Sequence, residues 1–427
     1  MRSAAAHSAS LSEIAAALRE TTETLARELT TPGNRAPLWS EFEWQIARAV
    51  TAMHGVSSLL CTNLRWQGPA SWQRFLDEQR DHTLRRHQKI SQLLERIDAH
   101  SRREGIAMLA LKGAALHAAG IYQAGERPMA DIDLLVRPGD REAAARLLER
   151  CGYSTTALNW RHQTLQPLIQ AAPSSLGEHR DNSIKIELHT RIMEPLPIRE
   201  TDITSFLLPG PMPAGLNAYP SAAALMSHLL LHAAGNMRAR ALRLIQLHDI
   251  ARLAVRFSDS DWAELRAARP HGKGLWWAAA PLTLTARYYP ATIPRDYLAQ
   301  LQSECPWLLA KLSRRHQLVA VSWSNLRIQA FPGIEWARTP LEALRFAISR
   351  IWPSRGALRD LQVFTTQNPP VATIPWYGIS HGARILRWIF SRPPRVQTML
   401  TVRAALAQDS SHKNISAVAK VSCSLSQ

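Results

Sequence analysis

Asp131-Ile132-Asp133-Leu134-Leu135-Val136 decides how this chain folds. Polar and apolar residues alternate at its start and an apolar run closes it, the pattern of a strand running into a core. Alternation puts residues i and i+2 on one sheet face, so both carboxylates project together. Two carboxylates that close repel each other and desolvate badly unless positive charge sits between them. A hard divalent cation supplies that charge, since Mg2+ takes one or two protein carboxylates together with substrate phosphate oxygens. The bland alternative is an edge strand whose Asp pair faces water.

Outward from this strand, Met108–Leu111 is a short apolar strand followed at once by Lys112-Gly113. A helix from Ala114 to Ala119 is broken by Gly125 and Pro128. Downstream, Arg137-Pro138-Gly139-Asp140 turns the chain into a helix over Arg141–Cys151 that ends at Gly152. Further strands are expected at Thr164–Gln170 and Ile184–Thr190. In the latter, Ile184, Ile186 and Leu188 point one way and Lys185, Glu187 and His189 the other. Glu187 on the same face as the Asp pair completes a three-carboxylate site, as metal ligand or as general base on an acceptor hydroxyl. His189 orients Glu187, contacts phosphate, or is itself the base; a solvated polar face is the competing reading.

Lys112-Gly113 opens a helix, where unpaired backbone N–H groups, a residue without a side chain and a positive charge together suit phosphate. Arg127, four residues before Asp131, suits the same phosphates through its planar fork, or is a solvated loop arginine. His228 and His232 share a helical face at i, i+4 but lack the glutamate of a zinc-protease motif, so a polar patch lining the cleft or structural histidines in the core are favoured, in that order, over a metal pair. Asp249 lies inside an apolar helix and is expected to pair with Arg243 or Arg252, or to face the cleft.

The flanks read as helical. Ser12 is expected to cap a helix to Leu29, a second to run from Trp39 to Asn63, and a third from Ser71 to Arg103. The apolar stripe of the third is Phe75, Leu84, His87, Ile90, Leu94 and Ile97. Past Pro220, Ser221–Gly235 and Ala241–Phe257 carry periodic apolar faces, and the Ser/Lys-rich residues 408–427 have too few large apolar groups to pack.

The 427 residues exceed one typical domain, and 46% hydrophobic with 20% charged residues is the composition of a globular protein with a core. No run approaches the ~20 apolar residues of a membrane span, and Met1–Ser10 lacks the apolar stretch of a secretory signal, so a cytoplasmic protein is expected. Cys61, Cys151, Cys305 and Cys423 form no CxxC pair, and a Cys/His cage drawing on His162, His189, His228 and His232 is disfavoured. A net charge of +17 favours an anionic partner, yet the 51 basic residues are scattered. With no basic block interleaved with aromatics, nucleic acid is not the expected partner.

Taken together, Leu111-Lys112-Gly113-Ala114-Ala115-Leu116, Arg127 to Val136 and Ile186-Glu187-Leu188-His189 resemble the uncharacterised nucleotidyltransferase family of bacteria, within the DNA polymerase beta-like superfamily. His228-Leu229-Leu230-Leu231-His232, Leu242–Leu253 and Asp261-Trp262 are similar to its following helical segment. One departure is Lys-Gly where the superfamily carries Gly-Ser. The resemblance implies an α+β fold: a small mixed-sheet core over residues 105–215, between helical regions at 1–104 and 216–407, with a disordered tail at 408–427. It implies that Asp131, Asp133 and Glu187 bind Mg2+ (or Mn2+) and an NTP, with Lys112, Gly113 and Arg127 steadying the phosphates. The expected acceptor is a hydroxyl or phosphate of a small molecule, sugar or peptide. A catalytically silent nucleotide-binding module and a phosphotransferase acting on the γ-phosphate are the competing functions.

Overall fold

The computed structural model describes residues 9–158, 162–169, 176–268, 274–353 and 380–407. The α+β architecture is as expected: a six-stranded mixed sheet with helical regions on both sides of it in sequence. Its strands are β1 (Ala107–Ala110), β2 (Asp131–Leu135), β3 (Tyr153–Leu158), β4 (His162–Pro167), β5 (Lys185–His189) and, after a two-stranded ribbon of β6 (Met193–Pro195) and β7 (Glu200–Asp202), β8 (Gly215–Asn217). The order across the sheet is β3-β4-β5-β2-β1-β8. The central pair, β2 and β5, is parallel, while β4 and β1 flank it antiparallel.

Alternation assigns the two faces. Ile132, Leu134, Ile186, Leu188 and Leu165 turn toward one side, where they pack with Ile90, Leu93 and Ile97 of α4 (Ala70–Glu104) and with Leu147 and Leu148 of α6 (Arg141–Arg150). Leu109, Leu111 and Leu135 turn the other way, into a core shared with α5 (Lys112–Ala118), α8 (Ala222–Arg238) and α9 (Leu244–Ala254). That second face carries the odd-numbered acids of β2 and β5.

The first helix, α1 (Leu11–Thr30), is capped by Ser10 rather than Ser12. Ser10 accepts from the Glu13 N–H and the Glu13 carboxylate accepts from the Ser10 N–H, a reciprocal pair that Ser12 has no partner to form. The expected second helix is two, α2 (Glu41–His54) and α3 (Ser57–Asn63), divided at Gly55 with φ 67°. A Cβ there would lie 2.6 Å from the Arg243 guanidinium, so a conformational and a steric demand coincide on glycine. In α4 the buried stripe is Phe75, Thr83, Arg86, Ile90, Leu93 and Ile97, and Leu84 is exposed. Arg86 takes the inward place because its Nη2 bonds the carbonyls of Met129 and Ala130, fixing the entry into β2.

N- and C-terminal helices meet directly. Thr22 donates to Ser324 at 2.7 Å, Tyr288 donates to Glu23 at 2.6 Å, and the Leu244 N–H donates to His54 Nδ1 at 2.8 Å. Among the described residues, no helix is long and apolar enough to cross a membrane. The Ser/Lys-rich tail, residues 408–427, lies outside the described residues.

Candidate active site

The register of β2 on β5 builds the site. Asp131 stands opposite Lys185, Asp133 opposite Glu187 and Leu135 opposite His189. In a parallel pair in register, opposed residues share a face, so Asp131, Asp133, Glu187 and His189 face the C-terminal helices together.

Asp133, 5% exposed, is the hub. Its Oδ1 accepts from Lys112 Nζ at 2.8 Å and pairs with His189 Nε2 at 3.0 Å, while His189 Nε2 stands 3.6 Å from Glu187 Oε2. Burial alone would raise the Asp133 pKa, but Lys112 and His189 hold it well below the ordinary carboxylate range. Among the described residues Asp131 has no such hydrogen-bonded partner. Burial, then the charge of Asp133, push it up to about 6 against the pull of Lys112. Burial would raise Glu187 too, yet the contact with His189 leaves it lowered. On the cationic side, burial opposes the charged forms of Lys112 and His189, and their carboxylate partners override it and raise both.

Lys112 reaches this position from a left-handed backbone (φ 45°), a conformation costing a non-glycine residue roughly 1–2 kcal/mol. Its N–H is already taken, since it donates to the Tyr219 hydroxyl at 3.3 Å, which is itself 2.7 Å from His228 Nδ1. Burial and then the nearby Lys112 charge depress His228 to about 3, so its ring is neutral where it shares the hydrogen bond with Tyr219. The helix that Lys112 opens has only seven residues. Gly113 makes room for a side chain: a Cβ would lie 2.5 Å from Arg127 Nη1 and 3.0 Å from Met129 Cγ.

Arg127 lies over this turn in a fork-to-fork pair with Asp249. Its Nε donates to Oδ1 at 2.8 Å and its Nη2 to Oδ2 at 2.7 Å. Tyr122 donates to the same Asp249 Oδ1 at 2.8 Å. Asp249 therefore pairs with Arg127 rather than with Arg243 or Arg252; Arg252 bonds the Ile121 carbonyl and stacks on Tyr122 instead.

Two clefts meet at Lys112, Glu187 and His232. The larger, about 320 Å³, is lined by Asp131, Asp133, Arg127, Arg243, Gln246 and Trp323 among others. The smaller, about 100 Å³, is lined by His162, His189, Arg191, Glu194 and His228 with Ile192, Met193 and Leu231. Sequence reasoning had not assigned Arg243 or His162 to the site. Arg243 lies just before α9, donates from Nε to the Met53 carbonyl at 2.9 Å, and has its pKa lowered by burial. His162, on β4, lies opposite His189. Neither has a local signal, because each reaches the site through an element distant in sequence.

A family model described as an uncharacterised nucleotidyltransferase matches residues 40–289, more than half of the chain. The chain belongs to this nucleotidyltransferase family. No curated protein and no solved structure matches it. Family membership makes the protein a transferase with an NTP substrate, and the matched span contains every residue named in the two clefts except Trp323. A nucleotidyltransferase handles a polyanion. The larger cleft is lined by the cations Lys112, Arg127 and Arg243 beside the carboxylates Asp131, Asp133 and Glu187.

Proposed function

We propose that this nucleotidyltransferase transfers a nucleoside monophosphate from an NTP to a small-molecule, sugar or peptide acceptor, with Asp131, Asp133 and Glu187 as ligands of Mg2+ or Mn2+. The observation that carries the reading is the register of β2 on β5, with Glu187 opposite Asp133 on the face that also bears Asp131. Three carboxylates on one face, Asp133 buried and Asp131 and Glu187 partly so, form a hard-oxygen donor set. Asp131, which takes no hydrogen bond from the described residues and is pushed up to about 6 by burial and by Asp133, is relieved by an added cation. When bound, the ion supplies charge stabilisation for the triphosphate and the departing pyrophosphate.

The chain's own groups do the rest. Lys112, Arg127 and Arg243 line the larger cleft and contribute positive charge toward the phosphates. Asp249 holds Arg127 so that Nη1, which also donates to the Pro128 carbonyl at 3.2 Å, stays beside Gly113. Glu187 borders both clefts, which suits a group acting between a triphosphate in the larger and an acceptor in the smaller. Held ionised by its contact with His189, Glu187 takes the proton of the acceptor hydroxyl as that oxygen bonds the α-phosphorus and the bond to pyrophosphate breaks.

The test is label transfer from NTP carrying α- or γ-labelled phosphate, with a metabolite pool as acceptor source. The reading requires α-label in the product and γ-label in free pyrophosphate, both lost in Asp131→Asn and Asp133→Asn. Gamma-label in the product makes the protein a phosphotransferase. Binding of NTP with no label movement in any pool makes it a nucleotide-binding module.

A further inference from the structure

The smaller cleft holds a second constellation, which shares Glu187 and His189 with the carboxylate site and adds His162 to them. β4 and β5 run antiparallel, and their register sets His162 directly opposite His189. Glu187 lies two residues before His189, hence on the same face. The two imidazole rings are 5.0 Å apart and inclined by 57°, side by side rather than stacked. His162 Nε2 is 3.6 Å from Glu187 Oε1, and His189 Nε2 is 3.6 Å from Glu187 Oε2. One donor atom from each residue lies within 4.8 Å of the other two, and this trio is the one such grouping of His, Cys, Asp or Glu among the described residues.

Those separations are long for hydrogen bonds. Each imidazole thus approaches a different oxygen of Glu187 at near the roughly 3.4 Å that separates donors about 2.0–2.1 Å from a tetrahedral zinc, and a small closure of the trio brings one donor from each residue to that spacing. Two imidazoles and one carboxylate also form a donor set of a different class from three carboxylates. Imidazole favours zinc, cobalt and nickel, whereas oxygen-only sites suit magnesium and manganese.

We infer that His162, Glu187 and His189 form a second metal site, specific for a borderline divalent cation such as Zn2+, whose fourth position opens into the smaller cleft. Three protein ligands with one open position is the arrangement that lets an ion bind and polarise a water or a substrate oxygen. The adjoining cleft, about 100 Å³, has room for such a group. Coordination by His189 Nε2 replaces its hydrogen bond to Asp133. Arg191 also lines this cleft, but its guanidinium is engaged by Asp202 and Glu200. The site shares Glu187 and His189 with the nucleotidyl-transfer reading, but it stands on the spacing of His162, Glu187 and His189 and not on that reading.

Cobalt titration of the chelator-treated full-length chain, followed by visible absorption, tests the site. Low-coordinate Co2+ with imidazole ligands absorbs in the visible, and an octahedral oxygen site does so only weakly. The expected result is one strongly absorbing Co2+ per chain, displaced stoichiometrically by Zn2+. The signal should be weakened about 100-fold or more in affinity by H162A and kept in D131N, since even outer partners of a metal ligand are worth 10–100-fold. Zinc-edge X-ray absorption of the wild-type protein, which needs no variant to fold, is expected to show two imidazoles. A zinc shell without imidazole, or H162A binding cobalt like wild type, overturns the inference. So does loss of the signal in D131N but not in H162A, which would locate the ion on the aspartates. Failure of Mg2+-dependent nucleotide binding in D131N bears on the proposed function alone.

Discussion

Arg127 and Asp249 form a two-pronged ion pair at 2.8 and 2.7 Å, joining the segment before β2 to helix α9 across 122 residues of sequence. Both side chains are largely buried, at 12% and 2% exposure. Such a pair contributes little net stability against an apolar replacement of both partners, but leaving one charge buried and alone costs about 3–5 kcal/mol. Asp249→Ala is therefore expected to lower the unfolding free energy by that amount, with the Arg127→Ala/Asp249→Ala double variant losing less than the sum of the singles. Denaturant unfolding of the four proteins measures the coupling; additive losses would mean that the pair is not held as described.

Gly113 makes a second test of the same turn. A methyl group there would meet Arg127 Nη1 at 2.5 Å and Met129 at 3.0 Å, so one of them must shift. Gly113→Ala is expected to cost about 1–3 kcal/mol of stability, in the range of overpacked sites, and to raise the KM for NTP more than it lowers kcat. Unchanged stability and KM would show that the turn relaxes freely.

Asp131 sets a pH dependence whose sign is opposite to the usual one for a carboxylate. Its folded pKa, about 6, lies above the ordinary value of 3.8. Between those values the folded chain keeps a proton that the unfolded chain has released, so metal-free stability falls as pH rises through this window. Asp133 and Glu187, both lowered, act in the reverse sense and lose their contribution as pH falls through their own folded values. Asp131→Asn removes the Asp131 titration together with its repulsion of Asp133 and Glu187. In chelator it is expected to melt above wild type at pH 8 and to lose that advantage near pH 4, as read by thermal melts at the two values. Added Mg2+ is expected to raise the wild-type melting temperature more at pH 8 than at pH 5.

Lys112 reports on the charge balance from the other side. Its ammonium is the cation bonded to Asp133, and Asp131 and Glu187 also act on it. Lys112→Met leaves the carboxylates closer to mutual repulsion, so the metal-free protein is expected to melt lower at pH 7 and to recover most of the loss on adding Mg2+. Calorimetry with and without the ion reads this out. A loss that Mg2+ does not reverse would assign Lys112 a packing role instead.

What the chain reveals before it is folded depends on how local the physics is. The alternation in Asp131–Val136 and in Ile184–His189 is visible because a side chain's face is set within two residues. The opposition of Asp133 and Glu187 is not written in either segment; it arises when the two strands pair in parallel. β3 escaped notice because Tyr153–Leu158 is buried mainly at its first residue, leaving no clear alternation, and β8 is only three residues long. The partner of Asp249 was hidden for a related reason: Arg243 and Arg252 are close in sequence, while Arg127 arrives from the sheet. His162 was one of four histidines in a disfavoured metal cage, and nothing tied it to Glu187 until β4 set it against His189.

The central claim is that Asp131, Asp133 and Glu187 grip a single divalent ion together with a bound NTP. Paramagnetic titration of Mn2+ into the chain, with a non-hydrolysable NTP analogue present and absent, tests it most directly. One nucleotide-dependent Mn2+ per chain, lost in D131N and E187Q while both variants keep the wild-type fold, is the result predicted. Nucleotide-dependent Mn2+ binding that survives in both variants would contradict it.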